Sequence, residues 1–583
     1  MYFSKTLWEK LLYAIANNHY KNEHLNLYYP LEDSHILKLS KALKKNTYLK
    51  SLILSTPENK SRLTKDAADY LSECPIQILD MPFCDKAVDY IIKNPNIKSL
   101  ELGGSYSSIG IKGYEALMKS PYLEKLKFIS LCRERRAYSY RDFFLNLAQN
   151  TTLESLALHI GPDVQEQDFF AFAMNNSLKT LDFSIAEPGL TEAQMYAFSQ
   201  NQSIEYLDIS GKSISVPAIK QLLAKPNLKK LGLFLKKFSP EVLKILGEHS
   251  TVKSLRILFG EKQTESYAKA FEALAQNPHI ESLDFAFEGK GMKSEDFRPI
   301  AKSSSIRTLR LDDSSWFPEN GPLDLNLAQV LSKNESIEDL NLTYSFLKDK
   351  GFAALLEMPK LRKLNLSHAS EKFGIDTLWT LAKNETLEEI NLEDGLMKLI
   401  EDIPPALGEA LSKNETLKVI NLSDQFLHGS IMRGIARMKN LTSLNLNTTG
   451  AGDLVALACF ENKNLRHLHL CTNAIEGRTL HALRDHENLE ELMLFTNGIG
   501  RHNLDYLAEN TSIKSLGLGC NSIGPEGAKA LAAMPNLEKL WIEENPIGDE
   551  GRAALTERWL GLSQYKPLKR CDLDSGEKKS ESD

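Results

Sequence analysis

The chain lacks most of the features from which an active site or a membrane anchor is built. Its seven cysteines, Cys74, Cys84, Cys132, Cys459, Cys471, Cys520 and Cys571, are scattered, odd in number and never spaced as CxxC. This disfavours a disulfide framework and points to a reducing, cytoplasmic compartment. No run of about 18 apolar residues occurs, so no membrane span is expected. Glu9 and Lys10 interrupt the apolar residues of MYFSKTLWEKLLYAIANN, and no signal-peptide core forms there. Basic charge is not in excess: 70 Lys and Arg stand against 77 Asp and Glu, a net charge of -7 over 583 residues. That balance argues against a nucleic-acid partner, whose phosphates demand a basic stripe. No P-loop, dinucleotide fingerprint, H-E-x-x-H or nucleophile elbow is present, so neither a catalytic residue nor a cofactor follows from the sequence.

What the chain has in abundance is repetition. Leu441, Leu465, Leu489, Ile513 and Leu537 recur every 24 residues and open copies of the phrase L-x-x-L-x-L-x-x-N, as in NLRHLHLCTN, NLEELMLFTN, SIKSLGLGCN and NLEKLWIEEN. The phrase can be followed back to openings at 49, 76, 97, 123, 153, 178, 204, 228, 252, 280, 306, 337, 361, 387 and 417, which makes 20 units. The spacing wanders between 21 and 31 before residue 441 and holds at 24 after it. HLNLYY at 24–29 reads as one further, degenerate unit. Self-similarity at a fixed period specifies a solenoid, whose units bury their apolar faces only against neighbours.

Within a unit the L-x-L core alternates with period two and predicts a short strand. The following segment predicts a helix; in its best copy Pro525 suits a first helical position, and Ala528, Leu531 and Ala532 form an apolar stripe. Asn150, Asn201, Asn334, Asn384, Asn414 and Asn510 each stand three residues before a phrase. Asn tolerates left-handed backbone, which suggests that it stops the helix there. The expected fold class is α/β, a horseshoe solenoid with parallel strands on the concave face and helices on the convex face. At about 4.8 Å per strand the concave ladder would be roughly 95 Å long. The expected organisation is a helical N-terminal cap at 1–22, the repeat array at 23–548, a C-terminal cap at 549–565 with Trp559 as its lid, and a charged, disordered tail at 566–583.

The unit N-x-I-G-x-E-G-A-x-A-L-A-x-M-x-x-L-x-x-L-x-I at 521–542, echoed by Asn545-Pro546-Ile547-Gly548-Asp549-Glu550-Gly551, resembles the ribonuclease-inhibitor-like subclass of leucine-rich repeats. The likeness is strongest over 441–562 and fades towards the N-terminus. It implies the fold well and the function poorly. The chain as a whole, rich in Lys and Asn and ending in a short polar tail with Glu577 and Glu581, resembles leucine-rich-repeat effectors that intracellular bacteria inject into host cells by type IV secretion. That resemblance implies a host-cytosolic protein acting on a host protein.

Several positions stand out from the repeat. Asn473, Asn497, Asn521 and Asn545 hold the ninth place of the phrase, where a buried amide satisfies the turn backbone of adjacent units. Asn341, Asn365, Asn391, Asn421 and Asn445 hold the fifth, concave place; amide laddering along the strands is the favoured reading, with a hydrogen-bonding track for an extended ligand as the alternative. The same file continues as His469, Met493, Gly517 and Trp541, with Phe495, Glu543 and Glu544 beside it and His467 on the same strand as His469. Exposed Trp, Phe and Met are typical of interaction hot spots. His467, His469, Met493, Phe495, Trp541, Glu543 and Glu544 are therefore the candidate contacts of a partner protein. His467, His469 and Cys471 alternate along one strand as zinc ligands can, but an ordinary surface run is the favoured reading and no metal is assigned. The long unit after residue 123 carries Arg133, Glu134, Arg135, Arg136, Tyr138, Tyr140 and Arg141. This loop is the basis of the alternative function, a GTPase-activating or other regulatory enzyme with a catalytic Arg; a solvated loop is the plainer reading. The units opening at 306 and 387 are also long, with Trp316-Phe317-Pro318 and Ile403-Pro404-Pro405 as rim bulges.

Overall fold

The computed structural model describes residues 5–27, 31–54, 64–80, 85–102, 109–130, 140–161, 164–185, 191–225, 227–248, 252–260, 266–287, 293–312, 324–369, 371–399, 403–500, 504–562 and 570–572. Among the described residues 22 strands form one parallel sheet in which each strand pairs with the ones before and after it in sequence, from His24–Leu27 to Arg570–Asp572. Helices alternate with the strands and pack on the outer side, giving an α/β solenoid whose sheet is not closed on itself. The register never slips between regular units: Leu444 faces Leu468, then Leu492, Leu516 and Leu540, all at 0–1% exposure. No helix among the described residues is long and apolar enough to cross a membrane.

The ladder is longer than 20 units at both ends. HLNL at 24–27 is a full strand beside Ser51–Leu54. At the other end, Arg570–Asp572 adds a strand to the free edge of Lys539–Trp541, because the N–H and C=O groups of that edge would otherwise lack partners. The expectation of a wholly disordered 566–583 is thus corrected at these three residues; the remainder of that segment lies outside the described residues.

The array divides into two styles of unit, and side-chain pattern explains the division. Seven successive strands, from Lys125–Ser130 to Ser282–Phe287, are six residues long. Their eighth phrase position is often a buried apolar residue, as in Ile160, Ile185, Leu235, Phe259 and Phe287, so the extended backbone continues to seat a third inward side chain. From Asp339–Asn341 onward the strands shorten to three residues. In these units the eighth position turns left-handed: Tyr344, His368, Asp394, Asp424, Thr448, Thr472, Thr496, Cys520 and Glu544 all have φ between 45° and 63°. Conformational regularity therefore begins near residue 337, about four units before the spacing becomes uniform. The wider N-terminal units are filled by phenylalanine, with Phe172 and Phe198 at 5.0 Å and Phe271 and Phe297 at 4.7 Å between ring centroids.

The helices end on a ladder of polar side chains. Asn201 Nδ2 donates to the carbonyls of Phe172 and Asn175 in the preceding unit, at 2.7 and 2.6 Å. Its Oδ1 accepts the N–H groups of Ser203 and Ile204. The same four-bond pattern recurs at Asn175, Asn414 and Asn510. The left-handed stop expected for these residues is not used. Asn150, Asn201 and Asn384 sit at φ -70°, -68° and -74° with extended ψ; each Oδ1 accepts N–H groups just beyond its own helix, and Asn150 and Asn201 tie that turn to carbonyls of the preceding unit.

Lys225 replaces the asparagine on one rung. It is 0% exposed, and its Nζ donates to the Asn201 carbonyl. Burial pushes its pKa down to about 8 from 10.5. A depressed lysine must shed or carry its proton at a cost below the unfolded pKa, so stability rises as pH climbs from about 8 to 10.5 and the penalty is fully present below 8. We expect Lys225→Asn to be more stable than wild type at pH 7 by up to about 3 kcal/mol, with the gap closing by pH 10.5 in denaturant titrations; a gap that does not change with pH would contradict the assignment.

Candidate functional site

The concave surface carries the residues that the repeat does not require. At its C-terminal end, Met493, Gly517 and Trp541 are neighbours across three strands. Phe495, Gly519 and Glu543 occupy the next outward-facing places of the same units. The two glycines make the site. A Cβ at Gly517 would lie 2.2 Å from Phe495 Cε2 and 2.6 Å from Met493 Sδ, and one at Gly519 would lie 2.8 Å from the Glu543 carboxylate and 3.0 Å from Phe495 Cδ1. Missing side chains at these two places leave a dip, into which Met493, Phe495 and Glu543 lean, with the Phe495 ring reaching that of Trp541. The two rings meet edge to face at 6.4 Å and 61°, a favourable aromatic geometry. The aromatics are consequently half-buried and not fully exposed as the sequence suggested.

Two strands away, His469 Nε2 is 2.8 Å from Glu491 Oε1, with both side chains one-third exposed. His467 is exposed and faces Glu491 across the strand pair. His469 adjoins Met493 in register, so the histidines border the aromatic dip. Glu544 lies apart from the dip, at the left-handed turn after it, where the Cys520 thiol donates to its Oε2 at 3.2 Å. That hydrogen bond, with burial behind it, raises the Cys520 pKa. Burial likewise raises the pKa of Cys471, which disfavours the thiolate a metal would need. Among the described residues no group of three His, Cys, Asp or Glu side chains is placed to hold a metal.

The fifth-position asparagines behave differently from the favoured reading. They lie side by side from Asn341 to Asn445, yet none bonds to the next. Each Oδ1 accepts the N–H two residues ahead, just past the end of its own strand, at 3.0–3.1 Å in Asn341, Asn365, Asn391, Asn421 and Asn445. Since only oxygen can accept from an N–H, the amide orientation is fixed and the NH2 group points away from the backbone. Asn421 Nδ2 donates to Glu393 at 3.1 Å. The NH2 groups of the other four form a file of donors along the concave face.

The sequence pattern placed Gly517 in the concave file without giving it a role, assigned none to Glu491, and left Gly519 unnoticed. The signal was there in the G-L-G of SIKSLGLGC, where two adjacent concave positions lack side chains. Of the arginine-rich loop, Arg133, Glu134, Arg135, Arg136 and Tyr138 lie outside the described residues, as do Trp316-Phe317-Pro318. Tyr140 is 5% exposed and belongs to the core, which removes it from the loop's accessible set. Arg141 opens the helix Arg141–Gln149. Along one rim, lysines and glutamates alternate in cross-strand pairs such as Lys179–Glu154, Lys229–Glu205 and Lys514–Glu490 at 2.7–2.8 Å. Exposed pairs of this kind contribute little stability, and they cancel charge along that edge.

The family described as Leucine Rich repeat matches residues 509–532 and 533–555. No curated protein matches the chain in sequence. The crystal structure of the mouse RP105/MD-1 complex contains a similar chain, with 17% sequence identity, a TM-score of 0.50, and coverage of 91% of this chain and 88% of that one. At such identity the likeness concerns the fold alone. Matching repeats, a continuous parallel sheet and this structural neighbour together define a leucine-rich-repeat solenoid. Proteins of this architecture generally bind other proteins on their extended concave surface.

Proposed function

We propose that this chain is a non-enzymatic interaction protein that grips a partner protein on its concave face, with the dip around Met493, Phe495, Trp541 and Glu543 as the anchor, His467 and His469 at its border and Glu544 as a further contact at the turn beyond it. The observation that carries this reading is the pair of concave glycines. Nothing in the repeat calls for two absent side chains beneath two aromatic ones, whereas a partner side chain entering the dip would part Phe495 from Trp541 and bury both. Aromatic anchors in water-shielded pockets dominate binding energies. The asparagine donors extend the surface towards the middle of the array and suit a partner rich in acceptors. The mouse neighbour, too, is found in a complex.

The finer assignment follows from the repeat and the tail. We place the chain in the ribonuclease-inhibitor-like subclass and read it as a bacterial effector acting on a host protein in the host cytosol, supported by the N-x-I-G-x-E-G-A motif and the polar C-terminus. Affinity capture from host-type cytosol tests the site. Wild type should retain a partner that the Phe495→Ala/Trp541→Ala double variant loses by at least about tenfold, corresponding to one hot-spot contact. Equal recovery of every partner by both proteins would rule the dip out.

A further inference from the structure

We propose that the two ends of the array dock on each other, so that the solenoid closes into a ring through its helix layer. The contact lies between Tyr20, just after the first helix Lys5–Ala16, and Trp559, at the end of the last helix Gly548–Trp559. Their rings meet edge to face, 5.7 Å between centroids and 84° between planes. Tyr20 is 1% and Trp559 6% exposed.

Their places in the fold give the contact its meaning. Asn46 Nδ2 donates to the carbonyls of Ile15 and Tyr20, just as Asn175 donates to those of Leu147 and Asn150. Tyr20 therefore stands on the first rung of the helix-end ladder. Arg558 stands on the last: its guanidinium donates to the carbonyls of Ala532 and Leu537 at 2.9 and 2.8 Å. In an open arc the outward faces of the first and last rungs would be in water. Here Tyr20, Arg558, Trp559 and Leu560 are all buried, and Tyr20 of the first rung lies against Trp559, the residue after Arg558 of the last.

A full turn sets the dimensions of the ring. Twenty-two strands at about 4.8 Å make a circumference of about 105 Å, hence a backbone-to-backbone width of about 34 Å. A layer of side chains on each wall leaves about 24 Å. That lumen admits a helix about 10–12 Å across but not a folded 100-residue domain, whose radius of gyration is about 13 Å. The sheet itself is not joined: among the described residues His24–Leu27 pairs with Ser51–Leu54 and Arg570–Asp572 with Lys539–Trp541, and neither pairs with the other. Two aromatic side chains at a seam without strand pairing form a latch that can part without breaking a ladder. If the concave-face reading above holds, the latch decides whether that face receives a single polypeptide segment or a larger body.

Small-angle scattering of the full-length chain alone, with no partner present, tests closure independently of the binding site. Wild type should give the profile of a closed ring. Tyr20→Ala/Trp559→Ala should raise the radius of gyration and speed amide exchange in Lys5–Ala16 and Gly548–Trp559 at least tenfold, while strands in the middle of the array exchange as in wild type. The conservative Trp559→Phe, which keeps an aromatic at the seam, should retain the closed profile and guards against simple unfolding of the last helix. An open-arc profile for wild type would overturn the proposal, as would terminal exchange rates that the double variant leaves unchanged.

Discussion

Replacing Asn473 by alanine should destabilise the array by about 3–5 kcal/mol, because one buried amide closes an entire turn. Its Oδ1 accepts the backbone N–H groups of Thr449, Gly450 and Ala451 at 2.9–3.1 Å and the Thr449 hydroxyl at 3.2 Å. Its Nδ2 donates to the carbonyls of Leu446 and Cys471 at 2.6 and 3.1 Å. Asn473 and Thr449 are 2% and 1% exposed, so water cannot take over these bonds without opening the structure. The neighbouring Asn497 accepts from Asn473 and Ile475 and is only partly buried; Asn497→Ala should cost less. Denaturant titration of the two variants checks the order. A loss below about 1 kcal/mol for Asn473→Ala would show that the turn does not depend on the amide.

The second large effect is expected from Leu492→Ala, at about 2–5 kcal/mol for a fully buried leucine. Leu492 is 0% exposed and lies between Leu468 and Leu516 in the inward file. The lost contacts belong to adjacent units only, since strands and helices touch their sequence neighbours and little else. Amide exchange should therefore quicken around residues 465–518 and leave the strands before residue 340 as they were. Equal loosening of all units would mean that the array folds as one cooperative block, contrary to the nearest-neighbour picture.

The fold was legible because its signal is written many times over. A leucine every 24 residues, an alternating triplet and an alanine stripe needed no tertiary information. What escaped was of three kinds. The long N-terminal strands were missed because an apolar eighth position, such as Ile185 or Phe259, extends a strand only when a matching residue lies on the next unit. The helix-stop asparagines were given the wrong mechanism, since backbone tolerance is a property of one residue, whereas their bonds reach back to the carbonyls of the preceding unit. The dip was half visible: Met493, Phe495 and Trp541 were recognisable as surplus to the repeat, but the glycines that let the aromatics fold inward matter only when strands are laid in register. The meeting of Tyr20 with Trp559 depends on the summed curvature of the whole array, which no local pattern records.

The concave-face assignment is tested most directly by the hydrogen-exchange footprint of a captured partner on the full-length chain. Binding should slow exchange in His467–His469, Glu491–Met493, Ser515–Gly517 and Lys539–Trp541 and in the residues that follow each strand, with the outer faces of the helices unaffected. Protection confined to the convex helices, with the strands from 467 to 541 exchanging as in the free protein, would contradict it.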